Sequence, residues 1–442
     1  MSKINKPKKS TRNSWLFVPS QYFAEGVPFV LVNQLSVALF KSLHESNVFI
    51  GFTSLLYLPW SLKLLWGPIV DAYFTKRKWV VSLQLVLGIC FALIAIGLYL
   101  PQYIFITLVL FTLIAFISAT HDIATDGFYL HALQLKDQAF FTGIRSTFYR
   151  FAMIFAGGLL VSIAGGIGIA TGNIQIGWSV AFALTAIIFI CLFFYHKYIL
   201  PYPVTDVAVK DAASSIPYKL IFKEYFTQPK IGIILAYILL YRFGEGLLIK
   251  MAQPFFLDKP SVGGMGLSLS EVGIYYGTVG IVTLVIGGII GGWFVKKYGL
   301  KKMLLPMALS IHLPNLLYVY LASVKHDIIW SFNISSLIGT DWIIRIHPLI
   351  QSCIVVEQLG YGLGFTAYMV YLMYISRGKY KTSHYAISTG IMALGYMIPQ
   401  FLSGFVQSYV GYFWLFVISV IMTFPGMFTI FFLPLEFDQN NN

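Results

Sequence analysis

The chain has 442 residues, of which 58% are hydrophobic and 11% charged, and it carries a formal net charge of +13. Soluble domains hold about 25% charged residues, so this composition cannot furnish an ordinary wetted surface. Apolar runs of about 20 residues, the length a helix needs to cross ~30 Å of hydrocarbon, recur from end to end. The ~10-residue alternation of a transmembrane barrel is missing, which leaves an all-α polytopic membrane protein.

Twelve spans are predicted at 15–41, 47–73, 79–100, 102–133, 139–166, 176–199, 230–256, 270–297, 301–322, 348–376, 383–409 and 411–433. Residues 1–14 form a basic tail ahead of span 1. The apolar stretch after it is too long for the core of a signal peptide. Span 1 carries Glu25 within "FAEG" (23–26). Span 2 carries Lys63 in the expected substrate cavity, there to partner an acid or to meet the substrate, and Asp71 just before "TKRK" (75–78), expected as a gate residue.

Span 4 places Ser118, Asp122, Thr125, Asp126 and Tyr129 at i, i+4, i+7, i+8 and i+11, one polar stripe on an apolar helix. An ionisable group at the bilayer centre costs at least ~2.5–3.5 kcal/mol. At about 1.5 Å per residue, Asp122, Arg150 on span 5 and Glu25 share a depth of about 15–16 Å from the basic end of their spans. Ion pairs Asp122–Arg150 or Asp126–Arg145 are therefore allowed. Either such pairs lock the helices together, or at least one aspartate carries a proton. Two carboxylates about 5–6 Å apart in a partly dry site disfavour joint ionisation. A proton crossing 100 mV releases about 2.3 kcal/mol, enough to concentrate a solute roughly fifty-fold.

Residues 200–229 are the expected linker, whose "YKLIFKEYF" part suits either a surface-lying amphipathic helix or a solvated connection. Span 7 carries Glu245 in "FGEG" (243–246), with Arg242 and Lys250 as candidates for the anionic groups of a substrate. Glu25 and Glu245 equally suit helix–helix hydrogen bonding beside their glycines. Span 10 carries Glu357, Gln358 and Tyr361 as substrate-cavity candidates, with Tyr361, Tyr368 and Tyr371 suited to stacking on a ring or to packing. His121, His131 and His312 have no shared ligand spacing and read as core or edge histidines. Cys90, Cys191 and Cys353 read as small buried hydrophobes. No catalytic group, metal or cofactor is expected, and the Asn333-Ile-Ser335 sequon matters only in a eukaryotic secretory membrane.

The basic charge is topological. One set of turns, with the N-tail and the linker, holds 21 of the 30 Lys and Arg residues, and the opposite turns hold four. The positive-inside rule puts the termini (1–14 and 435–442) and the linker in the cytoplasm. No basic face with interleaved aromatics remains for a nucleic acid.

"FAEG" and "FGEG" are offset by 220, and "GPIVDAYFTKRK" (67–78) and "GGWFVKKYGLKK" (291–302) by about 224. The two matches, in order, indicate parallel six-helix halves, 15–199 and 230–434. Halves of this kind bind a solute near the midplane. Glu25, Asp122, Asp126, Glu245 and Glu357 fall on spans 1, 4, 7 and 10, the cavity-lining spans of such a design. They argue for a polar cavity that moves a solute. An intramembrane acid-pair enzyme is disfavoured because both aspartates sit on one helix.

Three passages resemble the AmpG-type branch of the major facilitator superfamily, the peptide–acetyl-CoA transporter group. They are "SLKLLWGPIVDAY" (61–73), "FISATHDIATDGF" (116–128) and "VVEQLGYGLGFTAYMVYLM" (355–373). The resemblance spans nearly the whole chain. It implies a proton-driven importer of the bacterial inner membrane, a monomer in the lipid bilayer, that takes up anhydro-muropeptide. Ferric siderophore and acetyl-CoA rank behind it, and the five-to-five balance of intramembrane acids and bases argues against the polyphosphate of acetyl-CoA. Lys63, Asp71, Asp122, Asp126 and Glu357 carry over as functional positions. The family pattern has glutamine where this chain has His121, and an acidic-Asn pair where it has "VEQ" (356–358). Lys296 stands where a second-half gate motif would have aspartate.

Overall fold

A computed structural model describes residues 13–133, 135–208, 218–324, 329–333, 343–376 and 381–435. Ten helical stretches are long and apolar enough to cross a membrane: Ser14–Ser42, Lys76–Gly97, Tyr103–Ala132, Gly143–Thr171, Ile174–Ile199, Ile231–Leu257, Leu269–Tyr298, Leu300–Ser323, Pro348–Ile375 and Ser383–Phe432. The last of these is two spans, because the backbone breaks at Gly411, whose φ of 75° lies in the left-handed region that glycine enters without a Cβ penalty. The shorter apolar helix Asn47–Leu62 continues through Lys63–Leu65 and Gly67–Ala72 to complete span 2. Twelve spans result among the described residues, close to their predicted places. Outside them, Trp330–Asn333 and Ile343–Ile346 pair as an antiparallel ribbon in the register Trp330↔Ile346.

The chain divides into two compact units, residues 1–43 with 55–218 and residues 44–54 with 219–442. In the first, Phe17, Tyr22, Val80, Phe128 and Tyr129 form a buried cluster at the end that bears the "TKRK" turn. Asp206, just beyond span 6, accepts hydrogen bonds from the backbone N–H groups of Lys76 (2.7 Å) and Arg77 (3.0 Å). These are orphan donors at a helix start, where a carboxylate is favoured. Tyr202 lies 3.8 Å under the Arg77 guanidinium and Thr205 bonds His131 at 3.0 Å. The start of the linker is thus strapped to the first unit.

In the second unit, Tyr237, Tyr241, Leu304, Tyr368 and Tyr371 pack among spans 7, 9 and 10. Residues Tyr218–Phe226 are helical. Tyr225 is fully buried, hydrogen-bonds Ser388 at 2.8 Å and stacks edge-on against His384. Leu220, Phe222 and Phe226 of the same helix stay exposed, so the linker helix is docked on span 11 and amphipathic at once.

Two spans break at charged residues. Pro68 has no N–H to return to the preceding turn, and span 2 is interrupted over Lys63–Trp66, where Trp66 leaves helical geometry at φ −114°, ψ 3°. Span 7 is interrupted at Arg242 (φ −102°, ψ 10°) and restarts at Phe243, with Glu245 in the first turn of the new helix.

The repeated glycines have one task in both units. A Cβ on Gly26 would lie 2.8 Å from the Ala152 Cβ on span 5, and one on Gly246 would lie 2.7 Å from Pro399 Cγ on span 11. Between helices in lipid, attraction comes from close packing and not from expulsion of water, so these approaches hold span 1 to span 5 and span 7 to span 11. Gly26→Val and Gly246→Val should each cost about 1–3 kcal/mol through overpacking. Gly292→Ala on span 8, where a new Cβ meets nothing within 4 Å, should not. The check is the thermal midpoint of detergent-purified protein; equal midpoints for all three variants would refute the packing role.

Candidate functional site

In the first unit the break in span 2 delivers Lys63 to Asp122 on span 4, and the two form an ion pair. Four residues on, Asp126 pairs with Arg145 of span 5 at 3.1 Å and accepts a hydrogen bond from the Tyr22 hydroxyl at 2.9 Å. The Arg145 guanidinium lies over the rings of Tyr22 (4.6 Å) and Tyr129 (5.4 Å), which hold it in place. Glu25, one turn along span 1 from Tyr22, stands beside Asp122, Asp126 and Lys63. Its Oε2 is buried with no hydrogen-bond partner among the described residues.

Three carboxylates, Glu25, Asp122 and Asp126, therefore face two cations. The cluster is not sealed: side-chain exposure is 38% for Lys63, 43% for Asp126 and 34% for Arg145. The expected Asp126–Arg145 pair is present. Asp122 takes Lys63 and not Arg150, which makes no ion pair among the described residues. The side chain of Asp71 lies outside the described residues.

The second unit treats its charges differently. Arg242 grips Glu245 through two hydrogen bonds, Nε–H at 3.1 Å and Nη2–H at 2.7 Å, and donates to the Tyr361 hydroxyl at 2.6 Å. The rings of Tyr396 (3.7 Å), Phe365 (4.9 Å) and Tyr361 (5.3 Å) enclose the guanidinium. With side-chain exposures of 5% and 2%, the pair is sealed and neutral, and its arginine is spent on its own glutamate. Lys250, two turns along the same span, is buried and has no ion pair or hydrogen bond among the described residues. Glu357 is buried and accepts from the Gln358 side chain at 2.8 Å. Tyr368 and Tyr371 belong to the aromatic core, with ring centroids 5.5 and 5.0 Å from Tyr237, so packing is their role here.

Several polar contacts escaped the sequence reading. Tyr22 was missed as the donor to Asp126, and Trp66 as a donor to Thr120 at 3.2 Å. A fully buried chain through Gln84 and His196 reaches His121. His121 is hydrogen-bonded as expected of a core histidine. His312 is buried against the Tyr241 ring, and neither of its nitrogens has a hydrogen-bond partner among the described residues.

Known proteins share this architecture. Over 413 residues the chain is 24% identical to the anhydromuropeptide permease of Escherichia coli K12, covering 92% of this chain and 76% of that one. It is 26% identical over 431 residues to an uncharacterised protein of Haemophilus influenzae, covering 95% and 94% of the two. Among solved structures, a bacterial homologue of the human lysosomal transporter Spinster, in its inward-facing and unoccupied conformation, superimposes with a TM-score of 0.67. That likeness covers 94% of this chain and 95% of the other at 13% identity, and it speaks for the fold alone. The family model of the Major Facilitator Superfamily matches residues 20–356, and the chain belongs to that superfamily of membrane transporters.

Proposed function

We propose that this chain is a proton-coupled importer of the bacterial inner membrane, a monomer with both termini cytoplasmic, that moves anhydro-muropeptide by alternating access. The observation that carries the reading is the excess of one carboxylate over the two cations it meets in the first unit. With every group ionised the cluster holds one uncompensated negative charge within the membrane-spanning helices, and a single proton removes it. Glu25, Asp122 and Asp126 are the candidate carriers. Protonation of Asp122 weakens its hold on Lys63, so loading the proton and releasing a helix contact become one event.

For the solute, the supporting facts are the named permease among the relatives and two membrane-embedded cations, Arg150 and Lys250, that make no ion pair among the described residues. Both suit the carboxylates of a peptide-bearing sugar. Arg242 and Glu245 are withdrawn from substrate contact by their mutual grip, and we assign them a scaffold role. Glu357, Gln358 and Tyr361 remain candidates for polar contacts to the solute, and Asp71 for a gate.

Uptake of labelled anhydro-muropeptide by cells lacking their own permease tests the function. Expression of this chain should give uptake that an uncoupler abolishes and that Asp122→Asn or Asp126→Asn lowers at least tenfold. No uptake by well-inserted protein would remove the muropeptide reading. Uptake that survives the uncoupler and both substitutions would remove the proton reading.

The scaffold assignment has its own check. Glu245→Leu alone leaves a buried arginine uncompensated and should cost about 3–5 kcal/mol, whereas Arg242→Leu with Glu245→Leu should recover most of it. Thermal unfolding in detergent measures both, and a double variant no better than the single one would refute the assignment.

A further inference from the structure

Span 4 is tied on the side away from its aspartates as well. The Gln84 amide on span 3 donates to His121 Nε2 at 3.1 Å and accepts from His196 Nδ1 on span 6 at 2.8 Å. His196 Nε2 in turn takes the Ser20 hydroxyl of span 1 at 2.8 Å. Gln84, His121 and His196 are fully buried. A carboxamide has one donating and one accepting end, so it orients both rings: each carries its proton on Nδ1 and accepts at Nε2. It also cannot relay a proton between them. The chain is a neutral tie joining four spans, and a hydrogen-bonded network whose Gln84, His121 and His196 are buried in this way rigidifies what it joins.

The opposite side of span 4 is held by something less continuous. Thr120 accepts from Trp66 Nε1 at 3.2 Å and Asp122 pairs with Lys63, and both partners belong to the broken stretch of span 2. Residues 120, 121 and 122 point about 100° apart around the helix axis. Two of the three hold the interrupted segment, and the third holds the helical core.

We propose that His121, acting through Gln84, His196 and Ser20, is a positioning residue that keeps span 4 stationary, so that loss of the Asp122 charge moves the 63–66 segment of span 2 and not span 4. The inference rests on Asp122 as a proton acceptor, but its geometry can be read without any solute.

The test uses full-length protein in liposomes with Cys90, Cys191 and Cys353 replaced by alanine. Spin labels are placed at exposed positions: 187 on span 6 paired with 65 on span 2, and 187 paired with 130 on span 4. Asp122→Asn, which mimics the protonated acid, should shift the 65–187 distance by roughly 2 Å, a typical helix displacement, and leave 130–187 unchanged. Adding His121→Leu should broaden 130–187 as well. Adding His121→Gln, which can still accept from Gln84, should leave that distance as narrow as in the parent. An Asp122→Asn protein whose 130–187 distance shifts while His121 is intact overturns the proposal. So does a 65–187 distance that does not respond, or a 130–187 distance indifferent to His121→Leu. Failure of muropeptide uptake in the wild-type chain would touch the proposed function and leave these distances interpretable.

Discussion

Two cations, Lys63 and Arg145, stand among three carboxylates and pair with two of them, and the charged site of the first unit is arranged around that shortage. At 4 Å and an effective dielectric near 20, one unit-charge contact is worth about 4 kcal/mol, so each contact matters to the position of a helix. Lys63 neighbours both Asp122 and Glu25. A proton on one acid leaves the lysine to the other, and a change of protonation is therefore a change of contact. Arg145 has no such choice, because Asp126 and the rings of Tyr22 and Tyr129 surround it. The adjustable element is the lysine, and it sits where Pro68 has already interrupted its helix.

Much of this was legible in the chain. The span positions followed from apolar length, and the aspartate stripe from helical spacing. Gly26 and Gly246 followed from the repeat. The choice of partner was harder. Counting residues gives the depth of a side chain along its span but not the direction it faces, and Arg145 and Arg150 lie about 140° apart around one helix. Depth alone allows both Asp126–Arg145 and Asp122–Arg150, and only the first of these pairs forms among the described residues. Lys63 was readable as an acid's partner but not as that of Asp122, since its reach depends on the break at Trp66.

The buried Gln84–His196 chain was invisible for a related reason. Each residue stands alone in a long apolar span, 112 positions from the other, and no periodicity connects them. Most lone polar residues in such spans find a partner, because an unpaired group costs several kcal/mol in hydrocarbon, but which partner is a matter of three-dimensional packing. Arg242 failed in the opposite direction. An arginine exposed to a cavity and one caged by its own glutamate look the same in one dimension, and here the i,i+3 glutamate with three aromatic rings decides the matter.

The two halves show how a duplicated framework takes on separate tasks. Glu25 and Glu245 occupy matching places, each followed by a glycine that admits a neighbouring helix. The residue three positions earlier differs. It is Arg242 in the second half, which neutralises its glutamate outright, and Tyr22 in the first, which has no charge to offer and donates to Asp126 instead. In one copy this glutamate is neutralised by its own arginine, and in the other the cluster around its counterpart is left one cation short. An arginine in place of Tyr22 would supply a third cation to the three acids and remove the charge excess on which the proposed proton binding rests. The proposed coupling chemistry of this half depends on a tyrosine where its twin has an arginine.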